Sequence, residues 1–179
     1  MVLVSKRSLK AGETLCESYN MCTFFGHTKE ARQSILLEKN NFICDCIPCL
    51  EDWPQSNDVY WKKEVKFCCS VCSSKFGPDE RRRENFQKII LNPGNDFKCS
   101  SCGLNHSEKE LQEKLVQYRT TLDSSPKLFK DGFILETIKS LKEAAQFFQF
   151  NLIPPTKDQI RCENLLRNAI SYSVVNDDE

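Results

Sequence analysis

This sequence has no net charge, no long apolar run and few histidines. Its 25 lysines and arginines balance 25 aspartates and glutamates among 179 residues, so no net field draws in nucleic acid or a membrane surface. The apolar residues 1–4 are followed at once by Ser5-Lys6-Arg7, which argues against a signal peptide or a membrane span. We therefore expect a cytoplasmic or nuclear location, no membrane contact, and no nucleic-acid partner.

The two histidines are His27 and His106. The local sequence supports no Ser/His/Asp or Cys/His arrangement for nucleophilic catalysis, and we interpret both as surface residues. A short basic run, Arg81-Arg82-Arg83, lies on a predicted helix. We interpret this run as a solvated face. The more specific alternative is contact with nucleic acid or with a peptide phosphate.

Cysteine is abundant, with eleven residues, most of them closely spaced. Without a secretion signal, a disulfide framework is not expected, and closely spaced cysteines in a reducing compartment usually bind zinc. Four of them form the pattern C-x2-C…C-x2-C, with 26 residues between the pairs: Cys69, Cys72, Cys99 and Cys102. Two such turns predict a closed site of four thiolates, which is structural rather than catalytic. Cys68 could replace Cys69 as a ligand.

Three further cysteines form the pattern C-x-C-x2-C. Cys44, Cys46 and Cys49 cannot all pair with one another as disulfides, but they can surround one tetrahedral metal ion. Zinc needs a fourth ligand. The candidates are Cys16, Cys22, Cys68, His27 or a residue from outside this sequence.

The rest of the sequence predicts a mostly helical α+β protein. Short strands are predicted at 2–7 and 14–19, and a helix capped by Thr28 at 29–40. Phe67 and Phe97 each stand two residues before a C-x2-C of the segment 65–105, which suggests two similar hairpins facing each other. Capping boxes at Ser107 and Thr156 begin two helices, and a third is predicted at 131–150. Ser124-Ser125-Pro126 is predicted to end the helix that begins after Ser107.

Two stretches together resemble a known family. The segment RSLKAGETL at 7–15 is followed by Ser18-Tyr19 and, after 22 intervening residues, by Phe42-x-Cys44-x-Cys46-x2-Cys49. This resembles the end of a SET domain and its post-SET zinc motif. The second cysteine segment and the helical tail are similar in architecture to the SET- and MYND-domain lysine methyltransferases, whose C-terminal region is related to tetratricopeptide repeats.

The resemblance implies a division of the chain and roles for individual residues. Residues 1–43 would be the end of the SET domain, 44–52 the post-SET loop, 65–105 a zinc-ribbon-like segment, and 106–179 a helical region that walls the substrate cleft. Tyr19 matches the catalytic tyrosine of the lysine channel, and Phe42 matches an aromatic residue beside the cofactor S-adenosylmethionine. Cys44, Cys46 and Cys49 match the post-SET zinc ligands, whose fourth partner in this family is an upstream thiolate.

The match is incomplete, because no Asn-His-Ser cofactor loop, glycine-rich cofactor segment or MYND finger is present. The interval between Tyr19 and Phe42 is also longer than in most of the family. The expectation is therefore a C-terminal portion of a protein-lysine methyltransferase that is inactive by itself, with a protein lysine as substrate. The alternative is a non-catalytic zinc-binding module for protein interactions.

Overall fold

The structure is a computed structural model that describes residues 11–12, 26–53, 64–77, 80–93 and 97–176. This part of the chain is mostly helical, as predicted. Its helices are α1 (Lys29–Asn40), α2 (Ile47–Leu50), α3 (Ser70–Ser73), α4 (Arg83–Gln87), α5 (Glu108–Lys130), α6 (Ile134–Asn151) and α7 (Lys157–Asn176). The strands predicted at 2–7 and 14–19 lie outside the described residues.

Helix α1 has the bounds that its sequence predicts. The Thr28 side chain accepts a hydrogen bond from the Ala31 N–H at 3.1 Å, which satisfies one of the free donors at the helix start. Asn41 ends the helix with φ 56°, a left-handed conformation that asparagine tolerates better than most residues. The helix buries Leu36 and, unusually, Arg32.

Helices α5, α6 and α7 pack against one another and hold half of the buried core residues. The predicted caps form: the Ser107 hydroxyl accepts from the Glu110 N–H at 3.2 Å, and that of Thr156 from the Gln159 N–H at 3.1 Å. Buried side chains recur at helical spacing on the facing sides of these helices. They include Leu111, Leu115, Leu122, Leu141, Ala144, Phe148, Cys162, Leu166 and Ala169.

The predicted end of α5 at Ser124-Ser125-Pro126 is wrong. The helix continues to Lys130 with Pro126 inside it, and α6 consequently begins at Ile134 rather than at 131. The hydroxyl of Ser125 donates to the Thr121 carbonyl at 2.6 Å, so that serine is bonded within the helix. The turn after α5 contains Gly132 with φ +88°, a conformation that glycine adopts without steric cost.

The extended stretch around Phe67 connects the cysteine-rich segment to the helices. Leu91 N donates to Phe67 O at 3.0 Å on one side, and Ile153 N donates to Lys66 O at 3.0 Å on the other. Phe67 therefore lies between residue 91 and the end of α6. The Phe67 and Phe97 rings pack at 6.1 Å, and both are buried in one core with the helices. None of the helices in the described ranges is both long and apolar enough to span a bilayer.

Candidate metal centres

The four-cysteine cluster comprises Cys69, Cys72, Cys99 and Cys102, whose sulfurs all lie within 4.8 Å of one another. The Cys69 and Cys102 sulfurs are 3.6 Å apart, and those of Cys72 and Cys99 are 3.9 Å apart. A tetrahedron with Zn–S bonds of 2.3 Å has an edge of about 3.8 Å, whereas a disulfide needs about 2.05 Å. The cluster therefore has the dimensions of a zinc site and could hold a zinc ion.

Backbone hydrogen bonds set the two turns that carry these sulfurs. In the first, Cys69 N donates to Ile89 O, and Ser73 N donates back to Cys69 O, both at 2.9 Å. In the second, Cys99 N donates to Leu104 O at 2.9 Å, and Gly103 N donates to Cys99 O at 2.8 Å. Gly103 has φ +75°, which makes glycine the residue best suited to close this turn.

The environment of the four sulfurs is asymmetric. Cys69, Cys72 and Cys99 are buried, whereas Cys102 is exposed. Burial raises the pKa of Cys69 to about 12 and also raises the pKa of Cys72, while the Leu104 backbone N–H lowers the pKa of Cys102 to about 7. Buried thiols deprotonate only when a cation stabilises the thiolates, so this donor set suits a bound metal ion.

The structure decides between Cys68 and Cys69. Cys68 is fully buried, and its thiol donates to the Phe150 carbonyl at 3.4 Å, at the end of α6. Burial raises its pKa to about 12. Cys68 therefore belongs to the core, and Cys69 belongs to the four-cysteine cluster.

His106 is not the surface residue that the sequence predicts. Its Nε2 lies 3.2 Å from Cys69 Sγ, so it is a partly buried neighbour of the cluster rather than a surface residue. Desolvation lowers its pKa, which favours the neutral imidazole. The position of His106, four residues after Cys102, was the only sequence signal for this contact.

The three-cysteine cluster comprises Cys44, Cys46 and Cys49, whose sulfurs also lie within 4.8 Å of one another. The short helix α2 begins directly after Cys46, and Cys49 N donates to Cys46 O at 2.8 Å. The turn brings the second and third thiols back towards the first. Cys49 is buried, Cys44 is half-buried and Cys46 is exposed. This cluster could also hold a zinc ion.

Two neighbouring side chains of α1 hold this loop. Gln33 pairs with the backbone of Cys44: its side-chain nitrogen donates to Cys44 O at 2.6 Å, and its oxygen accepts from Cys44 N at 2.8 Å. Arg32, only 2% exposed, donates to Cys49 Sγ at 3.5 Å and to Pro48 O at 3.1 Å. The Nη1 of Arg32 donates to the His27 carbonyl oxygen at 2.7 Å. A positive charge is therefore buried beside the sulfurs.

Among the described residues no fourth ligand joins this cluster. Cys68 lies elsewhere, and His27 contributes its carbonyl to Arg32 rather than its ring to the sulfurs. Cys16 and Cys22 lie outside the described residues, as does Tyr19. Phe42 is half-buried, two residues before Cys44.

The basic run is not simply a solvated face. Arg81 donates to Gln149 O at 2.9 Å and to Ser73 O at 3.3 Å, and its guanidinium lies over the Phe150 ring. Arg83 is held by Glu51, which accepts from its backbone N–H at 2.7 Å and pairs with its side chain at 3.6 Å. These two arginines therefore connect elements of the fold.

Comparison of the chain with models of protein families, with curated proteins and with solved structures finds no match.

Proposed function

We propose that the chain contributes the channel tyrosine, the post-SET zinc site and the helical wall of the substrate cleft to an S-adenosylmethionine-dependent protein-lysine methyltransferase of the SET- and MYND-domain type. The observation that carries this proposal is the convergence of the Phe42-x-Cys44-x-Cys46-x2-Cys49 sulfurs into one group. It has three ligands where zinc needs four, as a post-SET site does before its upstream ligand is counted. The support is this arrangement together with the sequence resemblance.

The residues present divide the expected tasks. In this proposal Tyr19 orients the lysine amine for in-line attack on the methyl group, a task in which positioning supplies most of the rate. Phe42 packs beside the cofactor. Bound S-adenosylmethionine supplies the electrophilic methyl group. The zinc sites are structural and hold Phe42 and the helical region, residues 106–179, in place around the cleft.

The helical region would be the tetratricopeptide-like part of this family. The support is that the long helices α5, α6 and α7 share one core with the four-cysteine cluster. The substrate class of the proposed enzyme, a lysine side chain of a protein, rests on the sequence resemblance.

The deciding experiment is a methyl-transfer assay on the full-length gene product, with labelled S-adenosylmethionine and lysine-containing proteins. We expect labelled lysine, and loss of most of that labelling in Tyr19→Phe with zinc content unchanged. For the 179-residue chain, calorimetry is expected to show no appreciable S-adenosylmethionine binding, because only Tyr19 and Phe42 match family active-site residues. Micromolar binding to that chain would contradict the proposed division of roles.

A second candidate is a zinc-binding interaction module without catalysis. The closed four-cysteine cluster favours it, because a tetrathiolate site leaves no position open for chemistry. A full-length gene product that neither binds S-adenosylmethionine nor labels lysine would support this candidate. Metal analysis adds a second test: two zinc ions per chain indicate that both clusters are complete, and one indicates that residues 44–49 lack a ligand.

A further inference from the structure

The imidazole of His106 lies against the four-cysteine cluster although four sulfurs already complete a tetrahedral site. Its Nε2 is 3.2 Å from Cys69 Sγ. It is not among the ligand atoms that lie within 4.8 Å of one another. A ring nitrogen at this distance from one sulfur, outside the group of four, is placed to hydrogen-bond a ligand rather than to bind the metal.

Backbone hydrogen bonds hold His106 in the second turn, from which its ring contacts a cysteine of the first. His106 N donates to Phe97 O at 3.1 Å, and Lys98 pairs with Asn105 in the same hairpin, so the backbone under the ring is fixed. Cys69 belongs to the other turn, 37 residues earlier in the chain. The contact therefore joins the two turns that share the cluster.

Cys69 needs a donor from the protein more than Cys102 does. A zinc ion with four thiolates carries a net charge of about −2, and a buried charge is costly unless hydrogen bonds disperse it. Cys69 is fully buried, so its sulfur receives no hydrogen bond from bulk water. Cys102 is exposed, and solvent can stabilise its thiolate.

We propose that His106 is a positioning residue of the four-cysteine cluster, whose Nε2–H donates to the Cys69 thiolate, fixes that sulfur on the metal and raises the affinity of the site. The tautomer with its proton on Nε2 is the one that this contact selects. Such groups behind the ligands typically change metal affinity by 10- to 100-fold. The inference goes beyond the proposed function and requires only that the four-cysteine cluster binds zinc.

The test uses the full chain with Cys44→Ser and Cys46→Ser, so that the four-cysteine cluster is the one intact cysteine site in the described residues. Zinc affinity is measured by chelator competition, and the sulfur-to-metal charge-transfer band is measured with Co²⁺. His106→Phe keeps an aromatic ring without the donor, His106→Gln restores an N–H donor, and Asn105→Ala is a control in the same hairpin. We expect roughly tenfold weaker zinc binding in His106→Phe and recovery to within about threefold in His106→Gln.

The Co²⁺ band distinguishes a hydrogen bond from simple packing. We expect it to move to lower energy in His106→Phe, because the Cys69 thiolate loses a donor, and to stay in place in Asn105→Ala. His106→Ala is the second donor-free variant, with the same expectation if phenylalanine is not accommodated. Equal affinities in the starting chain and both donor-free variants would overturn the proposal. So would a His106→Gln variant as weak as His106→Phe, or X-ray absorption showing a nitrogen ligand on zinc.

A starting chain that binds no zinc would overturn the site itself together with the role of His106. None of these outcomes depends on methyl transfer, so failure here and failure of the proposed enzyme are distinguishable.

Discussion

The guanidinium of Arg161 in α7 donates to the carbonyl oxygen of Leu122 in α5 at 3.3 Å. In a regular helix this carbonyl would accept from residue 126, but Pro126 has no N–H. Leu122 is fully buried, and a buried carbonyl without a partner is costly. Arg161 thus supplies from another helix the donor that the proline removes.

Replacing Arg161 should therefore destabilise the fold more than its exposed ion pair suggests. Its pairing with Asp123 at 2.6 Å is largely solvent-exposed and worth little, whereas loss of the Leu122 contact should cost about 1–3 kcal/mol. We expect Arg161→Ala to lower the free energy of unfolding by that amount in urea titrations. The matched control is Arg119→Ala, because Arg119 in α5 pairs with the Asp158 side chain in α7 and donates to no backbone carbonyl of the described residues, so its loss should cost less than that of Arg161.

Pro126→Ala tests the mechanism directly, because alanine restores an N–H for the Leu122 carbonyl. The penalty of Arg161→Ala should fall by at least about half when Pro126→Ala is also present, a coupling that a double-mutant cycle measures. Purely additive effects of the two substitutions would show that Arg161 stabilises the protein in some other way.

The starts of α1, α5 and α7 were predictable from sequence, whereas the end of α5 and the start of α6 were not. Thr28, Ser107 and Thr156 cap their helices through bonds to residues three positions along, so the information is local. The carbonyl that Pro126 deprives of its usual donor accepts from Arg161, 39 residues after Leu122, and no local pattern connects the two positions.

Zinc removal should weaken the whole helical core, because the four-cysteine cluster shares that core with α5, α6 and α7. We expect a strong chelator to lower the thermal unfolding midpoint by at least about 10 °C, as the binding energy of a structural zinc is folding energy. Calorimetry or circular dichroism measures this shift.

Substitutions separate the contribution of each cysteine group to that shift. Cys72→Ser should abolish most of the response to chelator. Cys162→Ser is the control, because Cys162 is buried in the same core but donates to Leu141 O rather than joining a cluster. A midpoint that chelator leaves unchanged would mean that the four-cysteine cluster holds no structural metal.

Thiol reactivity should follow the pKa values of individual cysteines in metal-free protein. The thiolate is the reactive form. At pH 8 Cys102, with a pKa of about 7, is mostly thiolate and exposed, whereas Cys68 and Cys162, with pKa values of about 12, remain protonated. We expect iodoacetamide to modify Cys102 early and the other two last, as measured by mass spectrometry.

Zinc binding should make iodoacetamide modification of Cys102 slow, since a coordinated thiolate is a poorer nucleophile. Cys68 and Cys162 should be slow with and without metal and so serve as internal controls. Fast modification of Cys102 in zinc-loaded protein would contradict its place in the cluster.

The cysteine spacing was enough to predict both clusters, because each short pattern places its sulfurs on the same side of a tight turn. It could not predict the groups that stabilise the sulfurs. His106 and Cys69 are 37 residues apart, and Arg32 reaches Cys49 from α1, 17 residues earlier. Contacts of this kind depend on how separate elements pack, and a single sequence does not report that.

Arg32 gives the last prediction, on whether charge or geometry holds the three-cysteine cluster. Arg32→Met removes a buried positive charge from beside Cys49, whereas Gln33→Ala removes two neutral hydrogen bonds to Cys44. Because a buried guanidinium that donates to Cys49 Sγ disperses the negative charge of a metal-bound thiolate, we expect Arg32→Met to weaken Cd²⁺ binding at this cluster by at least about tenfold. Gln33→Ala should have a smaller effect, and Arg32→Lys an intermediate one.

Cd²⁺ is the suitable probe, because a soft ion binds thiolates tightly, and its charge-transfer band with sulfur reports occupancy. The four-cysteine cluster provides the internal control, as its Cd²⁺ binding should be the same in all variants. If Gln33→Ala weakens the three-cysteine cluster more than Arg32→Met does, then the geometry of the loop, rather than the charge of Arg32, governs metal binding there.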